Sequence, residues 1–162
     1  MKIWTRVIIT IGLYFILQVE GYCPIIDIFK KQEYQQKDEE IQEYREIWRI
    51  VNIIKQIESG GNYKILGKSG EYGAYQFKRR TWERLCMKFA GEVLSWVRVE
   101  NQDWIAFQQI KWLKSAKLGP QEIASYWNCG SKYGEGKKGI NKYGQRYDVE
   151  RYIKRFMIKY ND

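Results

Sequence analysis

Apolar residues recur at steps of three and four along Ile41, Tyr44, Trp48, Val51, Ile54 and Ile57, the spacing that stacks side chains on one face of an α-helix. The pattern predicts a helix buried on that face. It runs into Glu58 and ends at Gly60 and Gly61, since glycine takes up the left-handed geometry of a helix C-terminus without steric cost. Glu58 then sits in the last turn, about 100° around the helix from Ile57 and at the edge of the apolar stripe. A carboxyl group there has two reasons to keep its proton: partial desolvation and the negative end of the helix dipole.

The following stretch, NYKILGKSGEYGAYQF, sets tyrosine and phenylalanine among Gly67, Gly70 and Gly73, which predicts a small irregular hairpin. Helical patterning resumes near Thr81, a candidate N-cap, and continues through Trp82, Leu85 and Phe89. A longer helix is expected over residues 101–115, with Trp104, Phe107, Ile110 and Leu113 on one apolar face. Residues 117–120 read as a turn, residues 121–127 as a short helix stopped by Gly130, and the Gly, Lys and Tyr-rich residues 131–144 as a surface loop. A last helix over residues 148–160 carries Tyr152, Ile153, Phe156 and Met157 on one side.

Ahead of this domain, residues 22–40 are polar and mixed in charge, with no sustained apolar face. They read as a linker or a solvated helical lead-in, with the domain proper covering residues 41–162. Residues 1–21 begin with Lys2 and Arg6, continue as an apolar run over residues 7–17 and end near Val19 and Gly21, the order of an export signal. The run is shorter than the roughly 20 residues a membrane span needs. The expectation is therefore an exported protein in the periplasm, cell wall or medium, touching a membrane only through an uncleaved signal.

Composition narrows the chemistry. The chain has 162 residues, enough for one core, and a formal net charge of +9 that favours polyanionic partners: nucleic acid, anionic lipid or bacterial wall polymer. Histidine is absent, which excludes Ser-His and Cys-His nucleophilic sites and histidine-containing metal sites. Cys23, Cys86 and Cys129 form no CxxC pair, so neither a zinc ribbon nor a thioredoxin-like site is expected, and no metal or cofactor is called for. Cys86 and Cys129 read equally as one disulfide or as free thiols. Acid–base chemistry falls to carboxylates.

Four ordered blocks carry a resemblance. Glu58-Ser59-Gly60-Gly61-Asn62 is followed by Gly73-Ala74-Tyr75-Gln76-Phe77 with Thr81-Trp82, then Trp127-Asn128-Cys129-Gly130, then Tyr147-Asp148-Val149. Together they span about residues 45–160 and resemble the lytic transglycosylase catalytic domain of the lysozyme-like superfamily; the first two blocks are also similar to resuscitation-promoting-factor domains. The resemblance implies a mainly α (α+β) fold, a lysozyme-like helical domain with a small irregular β-hairpin beside the active-site cleft. It implies Glu58 as sole catalytic acid and base, and Ser59, Tyr75, Gln76, Trp127 and Asn128 as substrate contacts. Tyr147, with Tyr143 and Tyr152 as neighbours in the register, matches the tyrosine that approaches the glutamate. Tyr75 stands where methionine is common, and Cys129 where a small residue is usual.

The implied reaction cleaves the β-1,4 bond between N-acetylmuramic acid and N-acetylglucosamine in peptidoglycan and closes a 1,6-anhydro ring. The implied enzyme is a monomer, alone or in a wall-spanning machine. Breaking a glycosidic bond needs a proton on the leaving oxygen, and an ordinary hydrolase adds a second carboxylate. Glu71 is the nearest candidate for that, although an intramolecular hydroxyl makes it dispensable. A muramidase acting on the same bond and a non-catalytic wall-binding module are the alternatives; a nucleic-acid role leaves the export signal and the Glu58 constellation without a use. Trp48, Trp82 and Trp104 are expected in the core, and Trp127 and Tyr75 in the cleft.

Overall fold

A computed structural model of the chain describes residues 24–141, 144 and 146–162. The expected export signal, Cys23 and Tyr143 lie outside these residues. The described chain is mainly helical, with two small antiparallel two-stranded sheets. No described helix is long and apolar enough to cross a membrane.

Helix α1 spans Pro24–Ser59, so the segment expected as a linker or lead-in is helical over its described residues, from Pro24 on. The chain divides into two compact units after Glu43, close to the expected domain start at residue 41. In the second unit α1 buries Ile47, Ile50, Val51, Ile53, Ile54 and Ile57, each contributing about 2 kcal/mol of hydrophobic stabilisation. The expected stripe is shifted at its beginning, because Ile41 and Tyr44 are exposed and Tyr44 instead meets Trp48 edge-on and Phe107 at a tilt at the rim of the core.

Strands β1 (Glu71–Tyr72) and β2 (Phe77–Lys78) form the expected hairpin, with Glu71 opposite Lys78 and Tyr72 opposite Phe77. Helix α2 (Arg79–Phe89) follows directly and buries Trp82, Leu85 and Cys86. It starts ahead of Thr81, with Lys78 at the N-cap position, because the strand feeds straight into it. Helix α3 (Val99–Ser115) buries Gln102, Ile105, Ala106, Gln109, Ile110 and Leu113. Ile110 and Leu113 of the expected face are buried and Phe107 packs against the core, but Trp104 is 38% exposed and Gln102 and Gln109 take core positions. The helix has apolar residues on more than one side, so the buried stripe is rotated from the expected one and shares Ile110 and Leu113 with it.

Helix α4 (Pro120–Cys129) opens with proline at its first turn and with Glu122 bonded back to the backbone N–H of Gly119 (2.9 Å). Gly130, at φ +73°, closes it. The stretch expected to be a loop, residues 131–144, contains β3 (Lys138–Ile140), which pairs with β4 (Arg146–Asp148) beyond it in a second hairpin whose two strands are exposed. Without a buried face, its residues show no apolar alternation to read. Helix α5 (Val149–Asn161) starts at Asp148, whose carboxylate accepts the N–H of Arg151 (2.9 Å). It buries Val149, Tyr152, Ile153 and Phe156 and packs on α4. Cys86 and Cys129 are both free thiols.

Candidate active site

Glu58 occupies the last turn of α1, as its sequence position predicts. Gly60 and Gly61 take φ of +65° and +89° and turn their N–H groups back onto the carbonyls of Gln56 and Lys55. Ser59 then anchors the turn: its hydroxyl donates to the carbonyl of Ala74 at 2.8 Å and accepts the N–H of Gly61 at 3.1 Å. The helix end is thereby tied to the hairpin loop, so Ser59 orients its neighbour Glu58 through backbone contacts.

The other side of Ala74 is held by Gln102, a residue for which the sequence offered no signal. Its Oε1 accepts the Ala74 N–H at 2.8 Å, and its Nε2 donates to the carbonyls of Tyr63 and Trp96. A buried amide with these partners is satisfied at every hydrogen-bonding group that counts. Gln102 crosses the space a side chain at position 73 would fill, and Gly73 has φ +81°, so glycine is required there.

Tyr75 departs from expectation. Its ring is 1% exposed and its hydroxyl donates to Asp103, which also accepts from Tyr63 and pairs with Lys55. The Asp103 carboxylate draws this tyrosine inward, and burial beside that charge raises the phenol's pKa far above its usual range. Tyr75 therefore has no face open to a sugar and instead backs Trp127, with ring centroids 6.2 Å apart. Trp127 is half-buried, also packs on Phe77, and makes a polar contact with Glu58. Gln76 turns its amide onto the carbonyl of Gly73 (2.9 Å) within its own loop.

The tyrosine at Glu58 is Tyr152, not Tyr147. Tyr152 is 7% exposed on the buried face of α5, and its hydroxyl donates to Glu58 Oε1 at 2.8 Å. Tyr147 is 44% exposed and lies across Gly139 in the second hairpin. Position 152 falls one turn beyond the Asp148 cap, on the Val149, Ile153 and Phe156 stripe, and that stripe was the available signal.

Glu58 is half-buried, but protein packs closely around its carboxyl group and pushes its pKa up to about 7. Burial is the main cause. The Tyr152 hydroxyl, the positive charge of Arg155 and the contact from Trp127 oppose it, and the negative charge of Glu71 adds to it. At neutral pH the group is thus about half protonated. Glu71 itself accepts the N–H of Ser69 (3.0 Å) and pairs with Lys78 (3.5 Å).

Tyr152 also forms one wall of an open cleft of about 800 Å³, together with Asn128 at the end of α4 and Tyr147 of β4. Among the expected contacts, Asn128 and Tyr147 therefore face this cleft, while Ser59, Tyr75 and Gln76 serve the frame around Glu58. Among the described residues no cluster of cysteine or carboxylate groups is arranged to hold a metal ion. Chemically, the site offers one carboxyl suited to giving and taking a proton near pH 7, held by Tyr152, a tyrosine that also lines the polar recess. Comparison with family models, curated proteins and solved structures gives no match.

Proposed function

We propose that the chain is an exported peptidoglycan lytic transglycosylase with a lysozyme-like fold, in which Glu58 is the general acid and base. The observation that carries this reading is the Glu58 carboxyl itself: desolvated at a helix end, holding its proton up to about pH 7 and bonded to Tyr152, which lines an open cleft. The ordered motif blocks support the same conclusion independently of that geometry.

In this mechanism protonated Glu58 delivers its proton to the leaving glycosidic oxygen as the bond to C1 of N-acetylmuramic acid breaks. The carboxylate left behind takes the proton of the C6 hydroxyl on the same sugar, and O6 bonds to C1. One C–O bond breaks, one forms, the proton passes from O6 to the leaving oxygen through Glu58, and no water is consumed. Tyr152 stabilises the carboxylate midway through this cycle without competing for the proton, since its own pKa is raised well above the usual range.

A hydrolytic muramidase is the second reading, because Glu71 lies near enough for its charge to act on Glu58. Its engagement by Ser69 and Lys78 favours a fixed charge that helps keep Glu58 protonated over a nucleophile. Mass spectrometry of fragments released from purified peptidoglycan, beside the Glu58→Gln variant, tests both. Anhydro ends, lighter by one water and absent with the variant, are expected. Reducing ends make the protein a muramidase, and release of nothing by the native chain leaves a wall-binding module.

A further inference from the structure

The cleft beside Tyr152 has an unbalanced charge. Lys138 of β3, Arg146 of β4 and Arg151 and Arg155 of α5 all line it. Asp148 is the one carboxylate among its lining residues, and it is committed to capping α5 through the Arg151 N–H. The ion pairs found among the described residues involve none of these four cations. Four like charges around one recess repel one another, and an anion seated among them relieves that repulsion.

We propose that this cleft is a subsite for an oxyanion, a carboxylate or a phosphate, carried by the polymer strand next to the bond that Glu58 attacks. The identity of the polymer rests on the proposed function, whereas the anion preference rests on the recess and its cations. Two residues join this subsite to the acid: Tyr152 lines the cleft and bonds Glu58 at 2.8 Å, and Arg155 lines the cleft while its charge acts on Glu58.

That connection has a consequence for the reaction. Glu58 is faced by Tyr152 and Arg155 from α5, Trp127 from α4 and Glu71 from β1. Of these only Arg155 carries positive charge, and it favours the ionised carboxylate. An anion beside Arg155 offsets this charge, so occupancy of the subsite strengthens the hold of Glu58 on its proton. A strand bearing the anion thus arms the acid that cleaves it, and a neutral strand does not.

The test uses sugar-free probes on the full chain: N-acetyl-alanyl-glutamate for the carboxylate and glycerol phosphate for the phosphate, titrated while the backbone amides of Lys138, Gly139 and Arg151 are followed by NMR. Saturable shifts are expected with at least one probe, weakened roughly tenfold by Lys138→Gln with Arg151→Gln. The control pair Arg84→Gln with Arg98→Gln, exposed residues outside the cleft, removes the same charge and is expected to weaken binding less than about twofold. The tighter probe identifies the source, a peptide substituent or a phosphodiester. Absence of saturable shifts, or equal weakening by both pairs, overturns the subsite. Release of fragments from walls, measured in parallel, separates the two claims: saturable shifts without release overturn the glycan-cleaving reading alone, and release without shifts overturns the subsite alone.

Discussion

Helices α1 and α5 meet at two carboxyl–tyrosine pairs with opposite behaviour. Glu46 accepts the hydroxyl of Tyr160 at 2.9 Å, and Glu58 that of Tyr152 at 2.8 Å. The bond from the Lys114 ammonium holds the Glu46 carboxyl below its usual range against partial burial, with help from Tyr160 and Arg49. Among the described residues no cation pairs directly with Glu58, and burial takes it up to about 7. The same donor at nearly the same distance thus accompanies an ion pair in one place and a proton carrier in the other. What separates them is access to water and the distance to a cation.

The largest expected effect breaks the comparison at its reactive end. Glu58→Gln is expected to lower fragment release from peptidoglycan by about a thousandfold, the scale of a lost general acid, while Glu46→Gln leaves release unchanged. Equal losses in the two variants would make the Glu58 environment irrelevant to the chemistry.

Next in size is a stability effect of opposite sign. The folded pKa of Glu58 lies above its unfolded value of 4.5, so between about pH 4.5 and pH 7 the folded state binds more protons and stability falls as pH rises. Glu58→Gln removes that penalty, and urea unfolding is expected to find the variant more stable than the native protein by up to about 3 kcal/mol at pH 8. At pH 4 the two should be alike. A variant less stable than the native chain at pH 8 would contradict a strained, buried carboxylate.

At the other end the sign reverses. The folded pKa of Glu46 is lowered, so its contribution is complete above the unfolded value and is lost as pH falls through the folded one. Lys114→Met is expected to cost about 1 kcal/mol at pH 7, as a partly exposed pair does. The cost should shrink towards acid pH and wall release should stay intact, as paired unfolding and activity curves would record.

The smallest effect sharpens the role of the tyrosine. Tyr152→Phe removes a donor that favours the Glu58 carboxylate, so the alkaline limb of the pH–rate profile, expected near pH 7, should move upward. Tyr160→Phe should leave that limb in place.

The candidate acid was legible because its determinants are local. The apolar steps through Val51, Ile54 and Ile57 and the two glycines after Ser59 are enough to end a helix on Glu58. The first hairpin was legible from its spaced glycines. Gln102 was not, because a polar residue enters a core only when distant carbonyls and an N–H await it, and those belong to Tyr63, Ala74 and Trp96. Tyr75 was misread for a related reason: Asp103, 28 residues on, turns a side chain that looked suited to a sugar into a strut.

Sequence alone thus determined the helix end, the carboxyl on it and the mainly helical order of elements, since periodicity and glycine act over a few residues. Tertiary structure decided which tyrosine meets that carboxyl and which charges stand around the cleft. Tyr152 lies 94 positions from Glu58, in a helix whose register follows the Asp148 cap. The proton affinity of Glu58 was decided there too, because desolvation is the work of every segment packed around the group, and no single stretch of chain contains that environment.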